Sequence, residues 1–259
     1  MVKELVKRWI SGTPFEKRAR SIHRRLRRTA PTLSDMNALC DAQTTAVMER
    51  VLDRRSNCID VGCHEGVVLD VILGMAPEGI HYAFEPLPNF YSALVQKFAD
   101  MKNVHLVEAA LSDAAGTASF QHVITNPAYS GLLKRRYNRP HEDVVEIQVN
   151  LRKLDDILPR GYDLHFMKID VEGAELQVLR GAMDVLRRCR PHVVFEHGLG
   201  AADCYGTRPE HMFDLFANCG LRVSLMGDWL ASNARKTLSR EAFADEFDMG
   251  RSCYFIAHI

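Results

Sequence analysis

Short apolar runs alternate along this chain with stretches whose apolar residues recur at helical spacing, which is the pattern of an α/β sheet. The runs at 57–61, 80–85, 104–110, 164–169 and 192–196 are bounded by turn residues and read as buried parallel strands. Around them the helical period predicts helices over 35–54, capped by Ser34 or Asp35, and over 66–75, closing at Pro77-Glu78-Gly79. Further helices are expected over 88–100, with Phe90, Leu94 and Phe98 on one face, and over 174–187 and 209–219. Residues 117–150 break this rhythm. Ala118–Ile124 and Val144–Asn150 alternate like antiparallel strands, and Thr125–Asp143 between them is too long for a simple hairpin turn. Leu221–Met226 and Ser252–Ile259 close the chain as strands, the last expected antiparallel beside its predecessor. The predicted fold is a doubly wound, mostly parallel Rossmann-like sheet of about seven strands with an antiparallel last strand. To it are added an inserted hairpin and an N-terminal helical extension, with residues 1–33 as the extension and 34–259 as the main domain.

The chemistry concentrates where strands end. Cys58-Ile-Asp60-Val-Gly62-Cys-His64-Glu-Gly66 reads as a strand, a tight glycine turn and the start of a helix. Gly62 and Gly66 let the backbone turn sharply and approach a ligand, and the helix start offers free N–H groups to an anionic end. Tyr82-Ala-Phe-Glu85-Pro86 puts a carboxylate at the tip of the next parallel strand, placed to accept hydrogen bonds from ribose hydroxyls. A dinucleotide turn needs G-x-G-x-x-G for a pyrophosphate. Here His64 replaces the middle glycine and Asp60 opens the motif, which repels a pyrophosphate and suits an ammonium or sulfonium. The spacing favours S-adenosylmethionine over NAD.

A second acidic cluster, Lys168-Ile-Asp170-Val-Glu172-Gly-Ala-Glu175, lies at another strand end and the first turn of its helix. Asp170 is expected beside the ligand turn, because open α/β sheets bind at the point where strand order reverses. Glu172 is a candidate for substrate contact. It and Glu175 equally suit capping and the helix dipole. Glu196-His197 ends the following strand on the same rim. A hydroxyl acceptor needs a base, and the preferred arrangement is metal-free, with His197 as base and Asp170 and Glu196 orienting it or the substrate. These three residues are also compatible with Mg²⁺, without forming a diagnostic metal motif.

The 125–143 connection offers Tyr129, Ser130, Tyr137 and His141 to a sugar, and Lys134, Arg135, Arg136 and Arg139 to a phosphate or acidic glycan. A solvated basic loop is the plain alternative. Net charge is zero over 259 residues, but residues 1–30 are strongly basic, with Lys17, Arg18, Arg20, Arg24, Arg25, Arg27 and Arg28 in a helical stretch from Pro14 to Arg28. Two readings of that stretch stay open: docking on an anionic membrane surface or a partner, and a solvated helix against an acidic domain. Nucleic acid is not expected, because Trp9 and Phe15 are the aromatics interleaved with the charge. Asn126-Pro127-Ala-Tyr129 looks like a base-methylating element but follows the wrong strand. The seven cysteines are odd in number and scattered, and no long apolar span or signal peptide is apparent. Both point to the cytoplasm, with a peripheral position at the inner face of the membrane compatible with the basic segment.

Ile59-Asp-Val-Gly62, Phe84-Glu-Pro86, Ala110-Leu-Ser-Asp113, Leu154-Asp-Asp156, Lys168-Ile-Asp-Val-Glu-Gly-Ala-Glu175, Leu179-Arg-Gly-Ala182 and Phe195-Glu196 occur in order. Together they resemble the FkbM-type S-adenosylmethionine-dependent methyltransferases over about residues 55–197. The resemblance implies O-methylation of a hydroxyl on a sugar, a glycan precursor or a natural product. It implies that Asp60, Gly62 and Gly66 hold the methionine end of the cofactor and Glu85 its ribose. Ala110, Leu111 and Ser112 would border the adenine, with Leu87 as an apolar face. The chain departs from the family at His64 and Glu65, where the loop often carries Asn or another small polar residue. The alternative from a different class is a methyltransferase-like fold serving as a non-catalytic binding module in glycan or natural-product assembly. The acceptor and the oligomeric state are not written in the sequence.

Overall fold

The computed structural model describes residues 33–139 and 141–259. The chain divides into two compact units, residues 1–42 and 43–259. Of the first, the described part is the opening of helix α1 (Leu33–Val51); the helix expected from Pro14 to Arg28 lies outside the described residues. The second unit holds everything that follows.

Strand β1 (Cys58–Val61), helix α2 (Val67–Met75), strand β2 (His81–Phe84), helix α3 (Pro88–Lys97) and strand β3 (Val104–Val107) form the first half of the sheet. Strands β4 (Ala110–Leu111), β5 (Gly116–Val123) and β6 (Val144–Arg152) come next. They are followed by helix α4 (Leu154–Ile157), strand β7 (Phe166–Ile169), helices α5 (Glu175–Arg180) and α6 (Met183–Cys189) and strand β8 (His192–Glu196). Helix α7 (Pro209–Asn218), strand β9 (Arg222–Leu225), helices α8 (Met226–Ser232) and α9 (Arg240–Asp248) and strand β10 (Tyr254–His258) complete the chain.

The main sheet runs β3-β2-β1-β7-β8-β10-β9, parallel except for β10, which is antiparallel to both of its neighbours. The chain moves outward from β1 to β3 and then returns to the other side of β1 with β7. Strand order therefore reverses between β1 and β7, where such sheets open a ligand crevice. The predicted α/β architecture is the observed one. Strands β1, β2 and β7 are buried at every position, which is why their sequences are mostly apolar, broken only by Asp60, His81 and Lys168. Neighbouring residues on β2 serve opposite faces. Phe84 joins the larger core with Met167, Phe195 and Phe255, whereas Ala83 packs with Leu69, Leu94 and Phe98 beneath α2 and α3.

Two local expectations are corrected. The strand expected over 104–110 stops at Val107, and Ala110–Leu111 leaves to pair in parallel with β6 in a separate sheet ordered β4-β6-β5. The expected hairpin is the antiparallel β5–β6 pair of that sheet. The helix expected over 174–187 is two helices, broken at Gly181, where a Cβ would sit 2.1 Å from the Ser112 carbonyl oxygen. The last strand is antiparallel beside its predecessor β9 as expected, and its other edge pairs with β8. Helices α8 and α9 were not foreseen, although Ser239 caps α9 by accepting the Ala242 N–H at 3.1 Å. Phe243 and Phe247, one turn apart, bury that helix. Among the described residues, no helix is long and apolar enough to cross a membrane.

Candidate functional site

A cleft with a cavity volume of about 240 Å³ opens at the carboxyl ends of β1, β2 and β7, where open α/β sheets take small molecules. Its first wall is the β1–α2 turn. Gly62 has φ +79°, and a Cβ there would lie 2.0 Å from the Asp170 carbonyl oxygen, so the turn lies directly against the end of β7. Gly66 has φ +76°, and a Cβ there would crowd Leu94 and Phe98 at 2.8 and 2.9 Å. At both positions only glycine satisfies the backbone angle and the close approach together.

Glu85 is the hub of this wall. It is buried, lines the cleft and accepts the His64 N–H on Oε2 at 2.8 Å and the Leu87 N–H on Oε1 at 2.9 Å. Burial raises its pKa, and the two N–H groups partly offset that. The carboxylate is thereby fixed between two loops before any ligand arrives. His64 reaches its N–H into place through a left-handed backbone, φ +50°. Its ring stacks on Phe90 at 4.1 Å, and its Nε2 has no hydrogen-bond partner among the described residues. Burial lowers its pKa, which keeps the ring neutral.

The apolar floor includes Leu87, Ala110 and Leu111. Ser112 does not reach it: its N–H donates to the Arg152 carbonyl at 2.8 Å and its own carbonyl packs on Gly181. Asp60 is also corrected. It is 1% exposed, does not line the cleft, and sits behind the turn opposite Lys168 in the β1–β7 register. Apart from the neighbouring Cys63 thiol, its carboxylate oxygens have no hydrogen-bond partner among the described residues. Burial pushes its pKa up to about 6, against the pull of Lys168.

On the second wall Asp170 and Glu172 line the cleft, whereas Glu196, expected at the site, does not line it and stands behind Asp170 with Glu175. Asp170 Oδ2 lies 3.1 Å from Lys168 Nζ and accepts the Tyr254 hydroxyl from β10. Burial alone would raise Asp170, but Lys168, Tyr254 and a hydrogen bond from Glu196 outweigh it and hold the carboxyl below its ordinary range. Glu196 moves the other way: burial and the charges of Asp170 and Glu175 raise it well above the usual carboxylate value. The two carboxyls are thereby pushed apart, Asp170 towards its ionised form and Glu196 towards its protonated form. Glu172 stands on a left-handed backbone at φ +59° and is ion-paired with Arg135. The Arg135 guanidinium in turn lies 4.6 Å from the centre of the Tyr129 ring. Glu175 accepts the N–H groups of Val171 and Gly173, both at 3.1 Å, and burial pushes its pKa up to about 7.

A model of the FkbM methyltransferase domain matches residues 60–223. The chain belongs to the FkbM methyltransferase family. Methyltransferase sdnD of Sordaria araneosa is 27% identical over 152 residues, covering 48% of this chain and 59% of that protein, so the match spans less than two thirds of the relative. A solved FkbM methyltransferase from Methylobacillus flagellatus has a TM-score of 0.49 at 13% identity, over 80% of this chain and 44% of its own. A SAM-dependent methyltransferase from Aquifex aeolicus has a TM-score of 0.41 at 15% identity, over 89% and 98% of the two chains.

Within this FkbM domain, His197 is not at the cleft. It is fully buried between Phe243 and Phe247, with ring centroids 5.7 and 4.6 Å away, and neither ring nitrogen has a hydrogen-bond partner among the described residues. Burial lowers its pKa to about 4. Strand alternation explains the correction: Glu196 faces the acids, so the next residue faces α9. Tyr129 does not line the cleft either; it stacks on Tyr137 at 6.2 Å and braces Arg135 from outside. Ser130 does line it, with its hydroxyl accepting the Val123 N–H at 3.0 Å.

Sequence reasoning assigned no role in the site to Lys168 or Tyr254, and gave Arg135 only as one of several loop cations. Lys168 was detectable, two residues before Asp170 on a buried strand and hence on the same face. Nothing local marked Tyr254. The carboxylates of Asp170, Glu172 and Glu196 offer oxygens within 4.8 Å of one another, close enough for a divalent ion. Within this set Asp170 is paired with Lys168 and Glu172 with Arg135.

Proposed function

We propose that this chain is an S-adenosylmethionine-dependent O-methyltransferase acting on a hydroxyl of a sugar, a glycan precursor or a natural product. The observation that carries the reading is one cleft with two carboxylates in different states of readiness. Glu85 is pinned by two backbone N–H groups beside the Gly62–Gly66 turn, and Asp170 is held ionised on the facing wall. The first suits the ribose hydroxyls of an adenosyl group, with Leu87, Ala110 and Leu111 against the base. The cleft combines an apolar floor with a few fixed polar groups, which supports a nucleoside site with an acceptor hydroxyl beside it.

When bound, the cofactor supplies an electrophilic methyl group on a positively charged sulfur. The chain's own part is orientation and proton handling. Holding the acceptor oxygen in line at contact distance is worth roughly 7–11 kcal/mol of the barrier. Asp170, being ionised, takes the hydroxyl proton as the oxygen–methyl bond forms and the sulfur–methyl bond breaks. Glu196 is pushed towards its protonated form, so it orients Asp170 and does not compete for that role. Pro127, Ala128, Ser130 and Leu132 line the cleft, which supports an acceptor site under the 125–143 connection.

Calorimetric titration with S-adenosylmethionine and S-adenosylhomocysteine tests the reading. Binding by the wild type and its loss in Glu85→Ala are the expected results; a folded wild type that binds neither nucleoside overturns it. Charge balance at the acids predicts that methyl transfer, assayed on a panel of hydroxylated acceptors, survives a strong chelator.

A further inference from the structure

Lys168 is the chemical anomaly of the sheet. Strand β7 is buried throughout and Lys168 is 9% exposed, whereas lysines are almost never buried unless paired. Its register partner on β1 is Asp60, buried with its carboxylate oxygens unmatched by any N–H or hydroxyl among the described residues. Its Nζ lies 3.1 Å from Asp170 Oδ2, and both residues line the cleft. The lysine thus stands between carboxylates of adjacent strands, at the point where the two walls meet. For stability alone, well-packed apolar side chains usually replace such a buried charge network without loss. Its presence calls for a task.

We propose that Lys168 is a positioning residue, which fixes the Asp170 carboxylate, ionised and in one orientation, where the acceptor's proton is taken up. The inference rests on the methyltransferase reading above. Among the described residues, the other groups packed near Asp170 either are acids whose charge opposes its ionisation or lend it a hydrogen bond without a charge, as Tyr254 and Glu196 do. Asp60 faces it from β1, Glu175 from α5 and Glu196 from β8, all acids. His64, on the β1–α2 turn, is kept neutral by burial. Glu172 is occupied by Arg135. Tyr254, from β10, contributes a hydroxyl to the same oxygen that Lys168 holds. Lys168 is the cation in contact with Asp170. Without it, Asp170 and Glu196 become two buried acids competing for protons, and Asp170 loses the charge that makes it a base.

The test is aspartate carboxyl carbon-13 NMR across pH on the full chain, with Asp170 assigned by Asp170→Asn. Each protein is also titrated calorimetrically with S-adenosylhomocysteine. In the wild type Asp170 is ionised through neutral pH. In Lys168→Met its proton affinity rises roughly tenfold or more, and Lys168→Gln, which keeps the polarity without the charge, shows the same change if the methionine variant does not fold. Lys168→Arg restores the wild-type titration, and S-adenosylhomocysteine affinity changes less than about threefold in all of them. An unchanged Asp170 titration in folded Lys168→Gln overturns the proposal. So does a collapse of nucleoside binding in that variant, which would make the lysine a cofactor ligand. Failure of the wild type to bind S-adenosylhomocysteine overturns the underlying reading instead, and is seen in a different measurement.

Discussion

The two walls of the cleft are built on different principles. The β1–β2 wall is a backbone device: its key carboxylate is held by peptide N–H groups from nearby loops, and its shape is set by two glycines in left-handed conformation. The β7–β8 wall is a side-chain device. Lys168, Asp170, Glu196, Tyr254 and, through Glu172, Arg135 come from separate parts of the chain and hold one another by charge and shared protons. A wall of backbone is rigid and suits a ligand that never changes. A wall of ion pairs can be re-tuned one side chain at a time.

The sharpest way to break this comparison is at Gly62, where the walls touch. Gly62→Ala places a Cβ 2.0 Å from the Asp170 carbonyl at a φ of +79°. Backbone, not a flexible side chain, must give way, so the variant is expected to lose roughly 3 kcal/mol or more of stability. Urea unfolding measures it. Nucleoside binding should fall with it, because the turn that moves also carries the His64 N–H to Glu85.

Next in size is a pH effect, and it lies outside both walls. His197 has a folded pKa near 4 against an ordinary value of 6.5, so the unfolded chain takes up the proton first. Stability is therefore full above about pH 6.5 and falls as the pH drops towards 4, by about 3 kcal/mol for a shift of this size. His192, also lowered to about 4 by burial, adds to the same window. His197→Phe should flatten the slope without abolishing it, while leaving nucleoside binding intact. A variant that binds nothing would return His197 to the site.

The same contrast explains what could be read from the chain. The sheet was legible because strands buried on both faces leave mostly apolar runs, and the glycine turn was legible because strand, turn and acid are contiguous. Glu85 was found through its interval from Gly66, and Asp170 through its position at a strand end. His197 was misplaced by one step of strand alternation, since sitting next to a site residue in sequence puts a side chain on the opposite face of the sheet. Asp60 was assigned a direct contact because its motif is right, but burial behind the turn is a property of the β1–β7 register. Tyr254 could not be found at all: it meets Asp170 only because β10 inserts beside β8, and nothing within β10 says so.

Separating the walls by ligand is the third comparison. Glu85→Gln keeps an acceptor oxygen but removes the charge, and should weaken S-adenosylhomocysteine binding roughly tenfold to a hundredfold, about 1.5–3 kcal/mol for hydrogen bonds to a charged group. Asp170→Asn should leave that affinity within about threefold while abolishing methyl transfer to any acceptor that the wild type uses. Equal losses of binding in both variants would mean that the walls form one binding surface and that the division argued here is wrong.

The smallest expected effect is the most discriminating within the acid wall. Tyr254→Phe removes one of the two donors on Asp170 Oδ2 and leaves Lys168 in place. The loss in stability at neutral pH should be about 1 kcal/mol, that of a single hydrogen bond. Asp170 has a depressed folded pKa, so what it contributes is present above its unfolded pKa and is lost as the pH falls through the folded value. Tyr254→Phe should therefore bring the acid loss to slightly higher pH, and by less than any Lys168 variant does. If removing the hydroxyl disturbs Asp170 as much as removing the lysine, the anchor of the wall is the inserted strand β10 rather than the ion pair on β7. The side-chain device would then be set by topology, in the same way as the backbone one.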